Sequence, residues 1–271
     1  MKWNADPEIF RIGFFALRYY SLMFVLGFVL MGYYVENLFK RYKKDPLLVS
    51  SLTTHIIIGM LLGSRLVHCF FYDPDYYLSN PIDIFKVWEG GLASHGGYLG
   101  VLIAVGLFMK KNKDLTFYWI MDLIVGPCLF VGGLIRIGNF FNSEIVGYPT
   151  NLPWGIIFER VDQLPRHPAQ LYEAIGYFSI SFILATMVNK KFLDWKRGTI
   201  LCAAIIISFT FRFFIEFVKD EQSTLTTTWP INMGQVLSIV FVVFGFLLLR
   251  KIQKATNGPT NSSNQQKKAK V

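Results

Sequence analysis

The chain alternates between long apolar blocks and short polar segments. Most of the apolar blocks are about 20 residues long and carry almost no charge, which is the length that crosses the hydrocarbon core of a bilayer as a helix. The pattern predicts an all-α, polytopic integral membrane bundle rather than a soluble domain. Seven transmembrane helices are expected, at roughly 14–36, 52–72, 92–109, 117–137, 169–188, 199–218 and 231–249.

The composition supports this class of protein. Of the 271 residues, 53% are hydrophobic and 17% are charged, whereas soluble domains usually carry about 25% charged residues. Residues 1–250 are interpreted as a single transmembrane domain. The segment 251–271 is polar and low in complexity, and it is expected to form a disordered tail.

The distribution of lysine and arginine predicts the orientation. The segments after the first, third and fifth spans hold four, three and four of them, and the C-terminal segment from Arg250 holds six. Because cytoplasmic loops carry the excess of positive charge, the C-terminus is expected in the cytoplasm and the N-terminus outside. The net charge of +9 follows from this sidedness, and no aromatic and basic pattern indicates nucleic acid.

The three cysteines, Cys69, Cys128 and Cys202, all fall within predicted spans. None belongs to a CxxC motif, and three cysteines cannot all pair with each other. They are expected to be small buried apolar residues rather than parts of a disulfide or a zinc site.

The most informative residues are polar or ionisable at membrane depth. A charge at the bilayer centre costs about 2.5–3.5 kcal/mol on insertion scales, so such residues usually face a partner or a wet cavity. In the string RIGNFFNSEIVG, Arg136 and Asn139 are spaced to share a helix face at the outer end of the fourth span. Asn142 and Glu144 follow, where small residues that include Gly147 loosen the helix. This cluster is expected to line a cavity.

A second charged pair lies in the sixth span. Arg212 and Glu216 are four residues apart in FRFFIEF, so they share one helix face. Two interpretations stay open at this stage. The two side chains neutralise each other and only pack helices, or Glu216 orients Arg212 towards an anionic ligand.

Two further motifs belong to the same outer half. In GGLASHGGYLG, His95 is followed by two glycines, which let another backbone or a substrate approach closely. Two interpretations of His95 stay open, a histidine that only packs in the core and a histidine with a catalytic role. RHPAQLYE places His167 at the outer interface and Gln170 and Glu173 in the first turn of the fifth span, where a favourable position for the helix dipole alone explains Glu173. Tyr20 fits an ordinary interfacial aromatic residue.

The two arginines indicate the kind of ligand. A guanidinium group is a planar fork that matches phosphate oxygens and stays charged at any physiological pH. Two of them near one cavity suit a phosphodiester, and a lipid is the phosphate-bearing molecule already present in a membrane. The residues therefore predict a site for an anionic phospholipid, as substrate or as cargo.

RIGNFFNSEIVG resembles the signature of the bacterial prolipoprotein diacylglyceryl transferase family. RYYSLMF, GGLASHGGYLG, RHPAQLYE, FRFFIEF and MGQVLSI are similar to further motifs of that family, in the same order along the chain. The resemblance covers essentially the whole chain except the tail. The long string of arginine, asparagine and glutamate is highly specific, whereas the glycine-rich motif alone is weak.

The resemblance implies an activity and a location. The diacylglyceryl group of phosphatidylglycerol is transferred to the thiol of the lipobox cysteine of a preprolipoprotein, which gives a thioether and glycerol phosphate. The enzyme is expected in the bacterial plasma (inner) membrane, among membrane lipids, with seven spans, the active site towards the periplasmic face and a small periplasmic head. Residues 1–250 then form the catalytic domain, residues 251–271 are cytoplasmic, and no metal or organic cofactor is expected.

Roles for individual residues follow from the same resemblance. Arg136 and Arg212 would hold the phosphodiester, with Glu216 orienting Arg212. His95 is the leading candidate for the base that takes the thiol proton, because histidine changes its charge near neutral pH; alternatively, the cationic surroundings alone lower the thiol pKa. Tyr20 matches the tyrosine that the family requires. The substrate-binding set comprises Arg136, Asn139, Asn142, Glu144, Gly147, His167, Gln170, Arg212 and Glu216.

The chain departs from the family pattern in places, and rival functions are conceivable. Ser208 and Phe209 stand where many relatives have tyrosine and glycine, and Lys219 stands where arginine is common. A lipid or anion transporter would use the same arginines, but neither repeated halves nor paired broken helices are visible. An intramembrane serine protease is a weaker rival, since Ser64 lacks a well-placed histidine.

Overall fold

The computed structural model describes residues 1–13, 15–87, 90–91, 93–220 and 232–255, and for residues 15, 94, 95 and 191 it describes the backbone alone. These residues are mostly helical. The helices are α1 (Tyr19–Arg41), α2 (Leu47–Val67), α3 (Pro74–Ser79), α4 (Ser94–Lys111), α5 (Phe117–Phe141), α6 (Ala169–Lys191), α7 (Thr199–Ile215) and α8 (Met233–Lys254). The strands are β1 (Lys2–Trp3), β2 (Glu8–Ile12), β3 (Phe15–Arg18), β4 (Ile156–Phe158) and β5 (Pro165–Arg166).

Five helical segments of the described chain are long and apolar enough to cross a membrane. They are Tyr19–Arg41, Leu47–Tyr72, Phe117–Phe141, Ala169–Lys190 and Met233–Lys254. The second of them runs from α2 through one π-helical turn. The predicted class, a multi-pass helical membrane protein, is confirmed.

The remaining two predicted spans correspond to shorter helices. α4 and α7 have 18 and 17 residues, so the count of seven spans stays a prediction. α5 runs four residues beyond its predicted end, to Phe141, and this extension includes Asn139 of the site described below. α8 ends at Lys254, and the predicted tail beyond residue 255, like residues 14, 92 and 231 at three predicted span starts, lies outside the described residues.

The chain forms two compact units. One comprises Met1–Gly27 with Met121–Val271, and the other comprises Phe28–Ile120. The candidate residues from Arg136 onward, together with Tyr20, all lie in the first unit, whereas His95 lies in the second.

In the second unit, α2 and α4 cross at four glycines. Gly59 and Gly63 are spaced four apart on α2, and Gly96 and Gly100 repeat the spacing on α4. A Cβ atom on Gly100 would overlap the carbonyl of Gly59, and one on Gly63 would overlap the carbonyl of Gly96. Small residues at this spacing let two membrane helices pack backbone against backbone.

We expect Gly100→Ala to destabilise the second unit. The added methyl group meets the backbone of α2 rather than a movable side chain, and overpacking of this kind costs about 1–3 kcal/mol. The measurement is the thermal unfolding midpoint in detergent. Gly106→Ala is the matched control on the same helix, because a Cβ at Gly106 has nothing within 4 Å; an equal effect of both substitutions would contradict the packing at the crossing.

In the first unit, a buried carboxylate holds the start of α7. Asp122 of α5 is 2% exposed. It accepts hydrogen bonds from the backbone N–H groups of Gly198 at 2.6 Å and Leu201 at 2.8 Å. The first N–H groups of a helix have no partner within the helix, so Asp122 supplies a cap from a neighbouring helix. Its role in the structure is to hold the start of α7 against α5.

Candidate active site

Three backbone segments of the first unit pair with one another. They are the segment after α5, the segment before α6 and the segment after α7. The segment after α5 lies in the middle. Gly147 N donates to His167 O and Tyr148 N donates to Val218 O, both at 3.0 Å. Gly147 also forms an antiparallel bridge with Lys219. A Cβ on Gly147 would overlap the Val218 carbonyl and lie 2.6 Å from the His167 Cβ, so only glycine fits at this crossing.

Arg166 ties the same three segments together through its side chain. It pairs with Asp162 at 2.6 Å and with Asp220 at 2.8 Å, and it donates to the Gly147 carbonyl at 3.1 Å. The Arg166 guanidinium lowers the pKa of the Asp162 carboxyl. Because a carboxyl with a lowered pKa contributes stability above its ordinary pKa, this clamp is intact at neutral pH and weakens on acidification below that range.

A continuous chain of ion pairs joins the two arginines that the sequence singled out. Arg136 Nε lies 2.9 Å from Glu173 Oε2, and Glu173 Oε1 lies 3.6 Å from Lys219 Nζ. Lys219 Nζ lies 3.9 Å from Glu216 Oε1, which in turn lies 3.3 Å from Arg212 Nη2. These five side chains, here called the charged chain, come from α5, α6, α7 and the segment after α7.

Burial differs along the charged chain. The Glu173 side chain is fully buried and that of Lys219 is 4% exposed, whereas those of Arg136 and Arg212 are 17% and 34% exposed. Burial lowers the pKa of Lys219, and the nearby Glu173 carboxylate counteracts that shift. Since an unpaired buried charge is strongly disfavoured, the two inner charges depend on their partners. Within the charged chain, the most accessible groups are the guanidinium groups of Arg136 and Arg212.

A relay of amides extends from Arg136 to Glu144. Arg136 Nη1 donates to Asn139 Oδ1 at 3.0 Å, and Asn139 Nδ2 donates to Glu144 Oε1 at 2.6 Å. Asn142 Nδ2 donates to the same oxygen at 3.1 Å. Gln170 Nε2 donates to the backbone carbonyl of Glu144 at 2.6 Å. The structure therefore brings these five sequence-predicted residues together.

The backbone around Glu144 is strained. Ser143 and Ile145, which flank it, have φ values of 55° and 60°, in the left-handed region that β-branched residues avoid. Such conformations cost about 1–3 kcal/mol each and persist where surrounding contacts fix them. The sequence interpretation assigns the loosening of the helix to Gly138, Ser143 and Gly147. One of the left-handed residues is Ser143, as that interpretation includes, and the other is Ile145, which it does not. They aim the Glu144 side chain at the asparagines.

Tyr20 packs at the start of α1 against the end of α5. A Cβ on Gly138 would lie 2.9 Å from the Tyr20 Cα atom, so glycine permits this close approach. Tyr20 is half-buried and lies within electrostatic range of Glu144 and Arg136. The tyrosine thus borders the amide relay.

The start of α8 holds the other end of the charged chain. A Cβ on Gly234 would lie 2.6 Å from Glu216 Cδ, and Asn232 Nδ2 lies 3.5 Å from Glu216 Oε2. Asn232 and Gln235 form a capping box at this helix start. A carboxylate is stabilised next to a helix N-terminus, which explains why the MGQVLSI motif lies beside Glu216.

Two sequence-predicted residues, His95 and His167, belong neither to the charged chain nor to the amide relay. The His95 side chain lies outside the described residues, and only its backbone in α4 is placed. The two glycines after it face α2, where Gly97 abuts the buried Ser64 hydroxyl, so the close approach they permit is made by a backbone. Among the described contacts, the His167 ring meets Tyr172, with Nδ1 3.3 Å from the hydroxyl.

Sequence reasoning missed two residues of the charged chain. From the sequence, Glu173 is explained as a helix-dipole residue, and Lys219 is noted only as a departure from the arginine common in the family. The spacing of Arg212, Glu216 and Lys219 at four and three residues is a sequence signal for one shared face. Glu173 follows Gln170 by three residues, and both are 0% exposed.

The fold and the site define a multi-pass helical membrane protein with a partly accessible array of paired charges. The model of the family described as "Prolipoprotein diacylglyceryl transferase" matches residues 7–250. The chain belongs to this family. Similar curated relatives carry the name phosphatidylglycerol--prolipoprotein diacylglyceryl transferase. The Chloroherpeton thalassium protein is 43% identical over 91% of this chain and 92% of its own length. The Tolumonas auensis protein is 41% identical, over 91% and 95%.

The Bacteroides fragilis relative, with the same name, is 37% identical over 92% of this chain and 94% of its own length. The comparisons support a transferase and give no support to the transporter alternative. Ser64, the residue of the protease alternative, is 7% exposed and lies at the α2–α4 crossing, where its hydroxyl faces Gly97.

Proposed function

We propose that the protein transfers the diacylglyceryl group of phosphatidylglycerol to the cysteine thiol in the lipobox of a preprolipoprotein. The products are a thioether-linked lipid and glycerol phosphate. The observation that carries this proposal is the charged chain, which joins Arg136 to Arg212 without a break. Two guanidinium groups fixed in one array suit one phosphodiester, and the names of the relatives supply the identity of both substrates.

The charge of the array favours a monoanion. Three cations and two carboxylates leave the charged chain with one excess positive charge, and a phosphodiester carries one negative charge. Arg136 and Arg212 offer their exposed edges to it, since guanidinium groups bind phosphate oxygens through two parallel N–H donors. The headgroup would complete the pairing of the site rather than add an unpaired charge.

The transfer itself makes one bond and breaks one. The thiolate sulfur attacks the glycerol carbon that carries the phosphate, the S–C bond forms, and the C–O bond breaks with its electron pair leaving on the phosphate oxygen. The leaving group gains negative charge, and Arg136 and Arg212 stabilise it there. Fixed donors aimed at developing charge are often the largest single contribution to a rate enhancement.

The thiol proton needs an acceptor before the attack. His95 is the candidate base, because a histidine accepts a proton near neutral pH. The alternative is that the arginines lower the thiol pKa enough for attack without a dedicated base, since nearby cations favour the thiolate. A His95→Gln variant that keeps full activity would favour the arginines.

The remaining site residues would hold the substrate in place. Asn139 accepts a hydrogen bond from Arg136 and donates one to Glu144. The Glu144 side chain is exposed and can accept hydrogen bonds from the glycerol hydroxyls. Asn142 and Gln170 hold Glu144 from two sides. Tyr20 can donate to the phosphate or to the lipoprotein segment. Gly147 and His167 contribute through the backbone crossing.

The membrane arrangement forms part of the proposal. We place the N-terminus outside, seven spans in the plasma (inner) membrane and the site towards the periplasmic face, with the strands β1, β4 and β5 in a small periplasmic head. The distribution of lysine and arginine supports this orientation. The lipid substrate would then enter from the surrounding membrane and the lipoprotein from the outer face.

The experiment incubates the purified protein with phosphatidylglycerol and a synthetic lipobox peptide. The peptide is expected to gain the mass of one diacylglyceryl group on its cysteine, with release of glycerol phosphate in equal amount. A peptide in which serine replaces the cysteine is the control and should gain nothing. No mass gain on the cysteine peptide, with the lipid moving between leaflets instead, would contradict the proposal.

A further inference from the structure

We propose that Glu173 and Lys219 are positioning residues that hold Arg136 and Arg212 at one fixed separation, so that both reach the same headgroup. The inference deepens the proposed function and rests on it for its kinetic readout. Neither residue belongs to the site predicted from the sequence. Both lie inside the charged chain, between the two arginines.

The two oxygens of Glu173 face different cations. Oε2 contacts Arg136 of α5 and Oε1 contacts Lys219 of the segment after α7. Glu173 itself stands on α6. One carboxylate therefore connects three separate parts of the chain, and a shift of any of them moves the Arg136 side chain relative to Lys219.

Lys219 continues the connection to the second arginine. Its ammonium group lies between the carboxylates of Glu173 and Glu216, at 3.6 and 3.9 Å. Glu216 then holds Arg212 at 3.3 Å. A lysine side chain has many rotamers, but two carboxylates and the backbone bridge to Gly147 leave this one little freedom.

Comparison with Asp122 separates positioning from simple packing. Asp122 is also buried, but its oxygens accept two short backbone hydrogen bonds at the start of α7. Both oxygens of Glu173 are buried, and within the described residues neither accepts an aligned hydrogen bond. Glu173 instead contacts the charges of the site. Asp122 is thus a matched buried carboxylate with a structural role.

Burial places this pair behind the arginines rather than at the surface of the site. Glu173 and Lys219 are 0% and 4% exposed, whereas the two arginines at the ends of the charged chain reach the surface of the site. The pair acts through the arginines. Removing one of the two residues leaves the other buried with a single opposite charge, Arg136 for Glu173 or Glu216 for Lys219, and a buried pair costs more to break than a surface pair.

The experiment measures KM and kcat for phosphatidylglycerol in the peptide assay, together with the equilibrium affinity for phosphatidylglycerol in detergent. Glu173→Gln and Lys219→Met are each expected to raise KM and weaken affinity about tenfold or more. Lys219→Arg keeps the charge in place and should stay within about threefold of the wild type. Asp122→Asn is the control, and it should lower the unfolding midpoint with KM unchanged.

A folded Glu173→Gln protein with wild-type KM and affinity would overturn the inference. So would a variant that loses only thermal stability, as Asp122→Asn is expected to do. If Glu173→Gln does not fold, the comparison of Lys219→Met with Lys219→Arg tests the inference. Equal KM and kcat values for these two variants would overturn the inference. A wild-type protein that binds the lipid but forms no thioether would contradict the proposed function, and the affinities of the variants would still test the positioning.

Discussion

Replacing Arg136 with lysine is expected to lower diacylglyceryl transfer by about 10²–10³-fold, the range seen when one donor to a developing negative charge is removed. Two nitrogens of the guanidinium group contact different residues. Nε faces Glu173 and Nη1 donates to Asn139, so two contacts fix the orientation of the guanidinium plane. A lysine ammonium is a single point charge on a flexible stem, so it cannot keep both contacts or present a planar group to the phosphate.

The measurement is the initial rate of thioether formation on the lipobox peptide, with the unfolding midpoint recorded for each variant. Arg11→Lys is the control, because Arg11 is 55% exposed on β2 and pairs with Glu8, which is not part of the charged chain. The control is expected to turn over at the wild-type rate. Full turnover by Arg136→Lys would show that any positive charge suffices at this position.

Gly147→Ala is expected to reduce transfer at least as strongly, through the backbone. The new methyl group would overlap the Val218 carbonyl and crowd His167, and neither neighbour can rotate away as a side-chain end could. The segment that carries Lys219 would have to move off the segment after α5. Because the charged chain passes through Lys219, we expect the two arginines to lose their common arrangement.

This prediction is checked by the same assay and by the unfolding midpoint. Gly32→Ala is the matched control, since a Cβ at Gly32 in α1 has nothing within 4 Å, and it should leave the rate unchanged. A Gly147→Ala protein with wild-type turnover would mean that the crossing of the three segments does not set the geometry of the site.

The helices could be predicted from the apolar blocks because membrane length restricts what such blocks can do. The end of α5 could not. The apolar block stops near residue 137, but the helix continues to Phe141, and this last turn carries Asn139, whose amide donates to Glu144. Apolar periodicity marks where lipid surrounds a helix and misses the turns that face a polar site.

The site was predictable in part, and the division has a physical reason. Arg136 and Asn139 are three residues apart on α5, so their contact follows from helix geometry, and Glu144 follows in the same short string. Glu173 and Lys219 meet only because α6 and the segment after α7 are brought together by backbone pairing at Gly147. Such a meeting depends on tertiary structure, and one sequence holds no periodicity that encodes it.

The glycines after His95 show how one signal can have two causes. The sequence left open whether a backbone or a substrate approaches them. In the structure, Gly96 and Gly97 meet α2, which satisfies the requirement for small residues by packing alone. The case for His95 as the base therefore rests on the family resemblance and on histidine chemistry.

The central claim is that Arg136 and Arg212 bind the phosphate of the same lipid headgroup. The most direct test is the equilibrium binding of phosphatidylglycerol to the variants Arg136→Met and Arg212→Met. Diacylglycerol, which has the same acyl chains and no phosphate, serves as the second ligand. Both variants are expected to lose affinity for phosphatidylglycerol by similar factors, with diacylglycerol binding unchanged. If either variant binds phosphatidylglycerol as tightly as the wild type, the two arginines do not hold a common phosphate.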